Sequence, residues 1–446
     1  MLGMWCSLWP CMGSFRSDAA RLTHRSVSKQ VPHQGHSTYD LVVVGRGMIG
    51  SAAARHASKA GLGVALIGPS EPARESRNGR EIFGAHYDEG RITRKTDPDP
   101  VWAALAARSI ERYQEIATES KVEFFSEVGH LAVSFAGSES LASRLANSKA
   151  QGVSVEELDD GMLQQRFPYM RFPSGSAGIF EVDNSGYISA RGLVRAQTVA
   201  AQQNGCTVVA DEVTAVERLP SGRFLIRLAA GASVEADRVV VAAGAFCNSR
   251  PLLPAGIGNE AVQLDVTLMT AQTVHFVLNE KDTARLDGMP SIIYKGTDFW
   301  AYILPPIRYP DGTMRLKLGG GRYNAGDLLS GKRKLEMEDV ADWYRSGGSS
   351  ASHADMESML RDLIPDLEPL AVYSDSCVTC HTPTGQAYVG LLQPGLAVAT
   401  GGNGYAAKSS DEIGRLSAAA VLSPDGWGAE EPLDRSIFAP RMRESA

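Results

Sequence analysis

Residues 39–50 read Tyr39-Asp40-Leu41-Val42-Val43-Val44-Gly45-Arg46-Gly47-Met48-Ile49-Gly50, and this stretch decides the fold. Its first six residues form a nearly continuous apolar run, which suits a strand buried on both faces of a parallel sheet. Gly45 ends the run. Met48 to Ala60 is alanine-rich with helical periodicity and stops at Gly61, after which Gly63 to Ile67 reads as a second strand. The folded body therefore opens with a strand, a glycine turn, a helix and a strand, starting at Tyr39.

Gly45, Gly47 and Gly50, with Met48 and Ile49 between them, are spaced as GxGxxG. Glycines there permit a tight turn and close approach of a pyrophosphate, whose charge meets the amides and dipole of the helix N-terminus. The spacing alone is a weak signal; its place between strand and helix makes a dinucleotide the expected ligand. The acidic residue expected about 20 positions on for the adenosine ribose is missing. Gly68 stands there, so either Ser70 or Glu71 reaches the ribose from the loop, or backbone and water bind its hydroxyls.

Downstream, Asp99-Pro100 opens an amphipathic helix carrying Val101, Trp102, Leu105, Ile110, Tyr113 and Ile116. A helix over 190–204 precedes short strands at Thr207–Ala210 and Ala236–Ala243, the second ending at Gly244. Residues 262–320 change to alternating strands with turn signals such as Pro310-Asp311-Gly312, which predicts a mostly antiparallel sheet. Leu396 to Ala420 returns to strand, glycine turn and helix, so the nucleotide domain is assembled from separated segments. Three glycine turns in this order, at Gly45, at Gly244 and at Gly401-Gly402-Asn403-Gly404, favour FAD over NAD.

The chain of 446 residues is 43% apolar and 21% charged, with a formal charge of -7, and its length suggests two or three domains. No basic run occurs, which argues against a nucleic-acid partner. The apolar stretches fall short of the roughly 18 to 20 residues of a membrane span. Six cysteines are too few for a disulfide framework, and the body reads as reduced. Residues 1–38 carry Arg16, Arg21, Arg25 and Lys29 against one acid, Asp18, as an organelle transit peptide would. A secretory signal and an over-extended or disordered start are the other readings; otherwise the compartment is cytoplasmic.

Gly90-Arg91-Ile92-Thr93-Arg94, Arg315-Leu316-Lys317-Leu318-Gly319, Thr382-Pro383 and Gly404-Tyr405-Ala406-Ala407-Lys408 resemble monomeric sarcosine oxidase and its relatives, the N-methyl amino acid oxidase-like branch of the D-amino-acid oxidase superfamily. The resemblance spans residues 39 to about 420. It implies that Arg94 and Lys408 hold a substrate carboxylate, that Arg91 lies beside the flavin, and that Lys317 is the oxygen-activating lysine. The physical sense stands apart from the analogy: a planar guanidinium suits a carboxylate bidentately, and an ammonium from a distant segment can close the clamp. The family often has a histidine four positions beyond the lysine; Gly321 stands here, which leaves oxygen and another electron acceptor both open. Tyr302 resembles a substrate-site tyrosine, and Tyr294, Trp300 and His275 fall on the same predicted sheet, where a core role competes with a site role.

Cys377-Val378-Thr379-Cys380-His381 spells the CxxCH of haem attachment, and zinc, a redox dithiol and plain structural cysteines are further readings. The resemblance implies another, a flavin bonded to Cys377. Val213 completes the cofactor-binding candidates, and no metal is expected.

The fold expected is α/β: a discontinuous Rossmann-like FAD-binding domain of glutathione-reductase type, plus an α+β substrate domain with a mostly antiparallel sheet. The nucleotide part is expected at 39–95, 176–262 and 371–425, the substrate part at 96–175 and 263–370, and a tail at 426–446. The expected activity is FAD-dependent oxidation of the C–N bond of a small carboxylate-bearing secondary amine. A flavin-binding scaffold without turnover and an NAD-linked dehydrogenase are the rivals.

Overall fold

The computed structural model of the chain describes residues 37–258, 260–323, 332–423, 427 and 431–444. The transit-peptide expectation lies, except for Ser37 and Thr38, outside them.

Ser37–Val44 forms β1, Met48–Lys59 forms α1 and Val64–Ile67 forms β2. β1 pairs in parallel with β2 on one side and with Ser233–Val241 on the other, Val42 facing Val239 and Val44 facing Val241. Leu396–Thr400 extends the parallel set beyond Ser233–Val241, and Thr207–Val209 extends it beyond β2. The apolar run of β1 needs cover on both faces, and it has it. Leu41 and Val43 pack with Ala53, Ala57 and Ile413 on one side, while Val42 and Val44 pack with Val216, Phe224 and Val239 on the other. Full burial of such side chains stabilises the sheet by roughly 1.5–3 kcal/mol each.

α1 lies against Ala190–Gln203 and Ser410–Leu422. A Cβ at Gly414 would stand 2.5 Å from Ala52 Cβ, so α1 and the last long helix meet almost backbone to backbone. Behind this contact Asp411, fully buried, takes Arg55, His56, Arg112 and Gln197, which fastens three segments to one carboxylate.

The second sheet has nine strands and is antiparallel except where Ser291–Lys295 runs parallel to His130–Phe135. Its core, with Phe276, Ile292, Ile303 and Leu318, is capped by Met356, Met359 and Leu363 of Ser350–Leu363.

Some expected boundaries move. Ser176–Glu181 pairs with His130–Phe135, and Ala371–His381 pairs with Thr267–Val277 along its whole length; both strands belong to the nine-stranded sheet, not to the nucleotide part. Pro100–Glu111, capped by the Asp99 carboxylate on the Val101 and Trp102 amides, packs with the nucleotide core through Trp102 and Leu105. Its apolar stripe finds cover there and not in the substrate part. Within residues 431–444 of the expected tail, Phe438 is fully buried and Met442 bridges to Leu264.

Candidate functional site

Between the two sheets lies one continuous cavity of about 650 Å³, within the size range of small-molecule and cofactor sites. Gly45, Gly47, Met48 and Ile49 are part of its lining. The Gly45 amide bonds to the Ile67 carbonyl at 2.7 Å and its φ is +106°, so the chain turns there as soon as β1 ends. Gly50 does not line the cavity; a Cβ on it would lie 1.8 Å from the Gly45 carbonyl oxygen, so the turn closes only without a side chain. α1 has Gly47 at its N-cap, so it has no side-chain cap, and no acidic residue stands in its first turn. Its first amides and positive dipole end face an anion without competition.

Val213, Gly244 and residues 401–404 also line the cavity. The Thr400 hydroxyl donates to the Gly244 carbonyl at 2.9 Å and ties the second glycine turn to the third. Asn403 takes a left-handed φ of +51°, and its side chain accepts from the Thr382 amide and donates to the Gly401 carbonyl. The glycine turns expected for a dinucleotide therefore meet in one cavity, with an uncapped helix start aimed at it: these residues fit FAD.

The ribose expectation fares differently. Neither Ser70 nor Glu71 lines the cavity. Ser70 turns toward Arg46 and Arg80, and the Glu71 carboxylate binds Arg191 through both oxygens at 2.7 Å. Gly68 and Pro69 line the wall in their place, which favours backbone contact.

Arg91 lines the cavity and is held by the Asp88 carboxylate and by the carbonyls of Gly90 and Ala85. Lys317 lies behind the wall rather than in it: its ammonium, 1% exposed at the side chain, bonds to Asp88 and to the Gly90 carbonyl. The alternation in the Met314–Arg322 strand does not mark a wet face, because both faces of its middle are covered. Burial pushes Lys317 down to about 8, and the Asp88 carboxylate opposes the shift. Asp88 also accepts from the Tyr309 hydroxyl at 2.7 Å, so three groups share one carboxylate that sequence reasoning missed.

Elsewhere in the lining, Arg94 and Lys408 converge. Arg94 Nη1 is 2.6 Å and Lys408 Nζ 3.2 Å from the same Asp97 oxygen, and both cations line the cavity. Asp97 is buried, and Arg94 and Lys408 hold its carboxyl well below the usual carboxylate range against the effect of burial. Burial pushes Lys408 down to about 8; Asp97 opposes the shift, and Arg94 reinforces it. The Arg94 Nε has no hydrogen-bond partner among the described residues.

Cys377 lines the cavity as a free thiol opposite Ala271. Cys380, three residues along the strand, is also in the lining but more deeply buried, and contacts the Thr400 hydroxyl at 3.9 Å. No group of histidines, cysteines and carboxylates able to hold a metal occurs among the described residues.

Trp300, Tyr302 and Gly321 line the cavity, whereas Tyr294 packs into the core against Phe172 and Phe299. His275 lies outside the lining, stacked on Tyr373 with centroids 5.0 Å apart. Arg144 and Lys295 also line the cavity beside Arg94 and were not singled out in the sequence.

The model of a family described as FAD dependent oxidoreductase matches residues 40–420. An N-methyl-L-tryptophan oxidase of Yersinia pestis is 23% identical over 406 residues, covering 90% of this chain and 98% of its own length. Among solved structures, the open form of NikD, an amino acid oxidase of nikkomycin biosynthesis, superposes with a TM-score of 0.70 at 18% identity, covering 92% of this chain and 99% of its own. The L-proline dehydrogenase of P. horikoshii gives 0.68 at 15% identity, covering 91% and 97%. These likenesses agree with the expected fold class: a Rossmann-like nucleotide sheet joined to a mostly antiparallel substrate sheet. No described helix is long and apolar enough to cross a membrane.

Proposed function

We propose that this chain, which belongs to the FAD-dependent oxidoreductase family, oxidises the C–N bond of a small secondary amine that carries a carboxylate, such as an N-methyl or cyclic amino acid, to the imine. The observation that carries this reading is the meeting of Arg94 and Lys408 in the same cavity that the glycine turn lines.

Held by the three glycine turns, FAD would supply a two-electron acceptor for the hydride equivalent lost from the substrate carbon, with oxygen or another acceptor as the onward sink. The amine proton leaves to solvent, and water then hydrolyses the imine. The chain's own part is to hold and orient. Arg94 and Lys408 fix the carboxylate and thereby the reacting C–N bond, with Asp97 keeping the two cations side by side. Trp300 and Tyr302 form an aromatic wall, and Arg91, held by Asp88, presents fixed positive charge where the cofactor gains electron density. Lys317, on the same carboxylate, is assigned the acceptor side.

Cys377 is the residue assigned to bond the cofactor: of the two free thiols in the lining it is the less buried, while burial pushes the Cys380 thiol up to about 11. Substrates named for relatives, N-methyl-L-tryptophan and L-proline, support a secondary amine with a carboxylate.

The test is optical. Purified protein shows a flavin spectrum, and the colour stays with the acid-precipitated polypeptide in the native chain but not in Cys377→Ser. Mixed without oxygen, N-methyl or cyclic amino acids bleach the spectrum. A protein without flavin, or a flavin that no carboxylate-bearing amine bleaches, removes the proposal.

A further inference from the structure

We propose that the substrate carries two carboxylates, the second held by Arg144 and Lys295 at the same end of the cavity as Arg94 and Lys408. This deepens the amine-oxidising reading and rests on it.

Arg144 comes from the helix Glu139–Ala150 and is 2% exposed. Its Nη1 donates to the Thr96 carbonyl at 2.7 Å, and it makes no ion pair among the described residues. Lys295 ends the strand Ser291–Lys295, which a different part of the sheet supplies. It lines the cavity, and its ammonium has neither an ion pair nor a hydrogen bond among the described residues. Buried or half-buried cations without a counter-charge are costly and are ordinarily paired.

The balance of charge points the same way. Arg94, Arg144, Lys295 and Lys408 are four cations, and the carboxylates close to them are Asp97 and Glu181. Glu181 is occupied by the amides of Lys95 and Thr96. One substrate carboxylate leaves this end positive, and a second brings it to neutrality. Burial, together with Arg144 and Arg94, pushes Lys295 down, as expected of an ammonium that faces cations and awaits an anion. Two guanidinium groups and two ammonium groups, drawn from four separate segments, offer donors for a pair of carboxylates on one small molecule.

The experiment compares near-isosteres differing in one charge. N-methylaspartate and N-methylglutamate are each set against their side-chain amides, N-methylasparagine and N-methylglutamine, and dissociation constants are read by calorimetry on the flavin-loaded protein. Each diacid binds or fails to bind independently of turnover, and flavin bleaching is recorded in parallel. At least one diacid is expected to bind about 10- to 100-fold more tightly than its amide, the range for a hydrogen bond between charged groups. In Lys295→Gln, and in Arg144→Lys, that ratio collapses toward unity while the flavin spectrum shows the fold intact. A Lys295-dependent preference for a diacid that never bleaches the flavin supports the second carboxylate site and removes the amine oxidation. Equal affinity for diacid and amide at both chain lengths, or a ratio unchanged in Lys295→Gln, overturns the proposal.

Discussion

Raising the pH through the titration of Lys408 should release a bound carboxylate. Burial pushes this ammonium down to about 8, Asp97 pulling the other way and Arg94 and Arg144 reinforcing the shift. An anion roughly 4 Å away at an effective dielectric of about 20 interacts with it by about 4 kcal/mol, enough to return it to the range of an ordinary lysine. The empty site therefore loses its proton above about pH 8 while the occupied site keeps it. Affinity is then level below about pH 7 and falls about tenfold per pH unit above 8, so that near pH 9.5 the dissociation constant is about 30-fold above its neutral value. Propionate, which has no amine to titrate, is the ligand of choice, titrated calorimetrically into the flavin-loaded protein. Lys295 is also pushed down by burial and Tyr405 pushed up, and both face this space, so the assignment needs a variant. In Lys408→Met binding at neutral pH weakens by about 100- to 1000-fold and the alkaline slope disappears. A native constant that stays level to about pH 9.5, or a slope that survives in Lys408→Met, refutes the reasoning.

Two further outcomes follow from the geometry. Gly50→Ala places a methyl 1.8 Å from the Gly45 carbonyl oxygen, so the turn opens and the purified variant comes off a sizing column colourless; full flavin occupancy contradicts this. Asp411→Asn removes one carboxylate from a network in which Arg55 keeps Glu115 and Glu119 and Arg112 keeps Glu412, and costs about 1.5–3 kcal/mol at neutral pH. Because the folded Asp411 carboxyl is held well below its ordinary range, its contribution is present above about pH 4 and is lost as the pH falls through the folded value. The gap in melting temperature between native and variant should narrow from neutral pH to about pH 3, and a gap of constant width speaks against the network.

The β1, α1 and β2 unit was legible because every signal for it is local: an apolar run, glycines at a fixed spacing, and helical periodicity. The strand Ala371–His381 was misplaced because its cysteine and Thr-Pro pattern point to the cofactor, while its actual partner, Thr267–Val277, lies about a hundred residues upstream and leaves no local mark. Arg94, Lys408 and Arg91 were found through resemblance, and Asp97 and Asp88, which hold them, were not, since a carboxylate in a loop reads as solvated. Arg144 had a signal that went unused. In Glu139–Ala150 the buried positions are Leu141, Arg144 and Ser148, so the arginine sits on the inward stripe of an otherwise polar helix.

The order of the parallel strands has a consequence for synthesis. The three central neighbours, β1, Ser233–Val241 and Leu396–Thr400, come from the beginning, middle and end of the chain. A ribosome delivers them one at a time: Val42 and Val44 of β1 are covered once residue 241 has emerged, while the face of Leu41 and Val43 waits for Ile413 to complete its cover. Loading of the cofactor is thus a post-translational event, and the nascent chain is the form most in need of a chaperone.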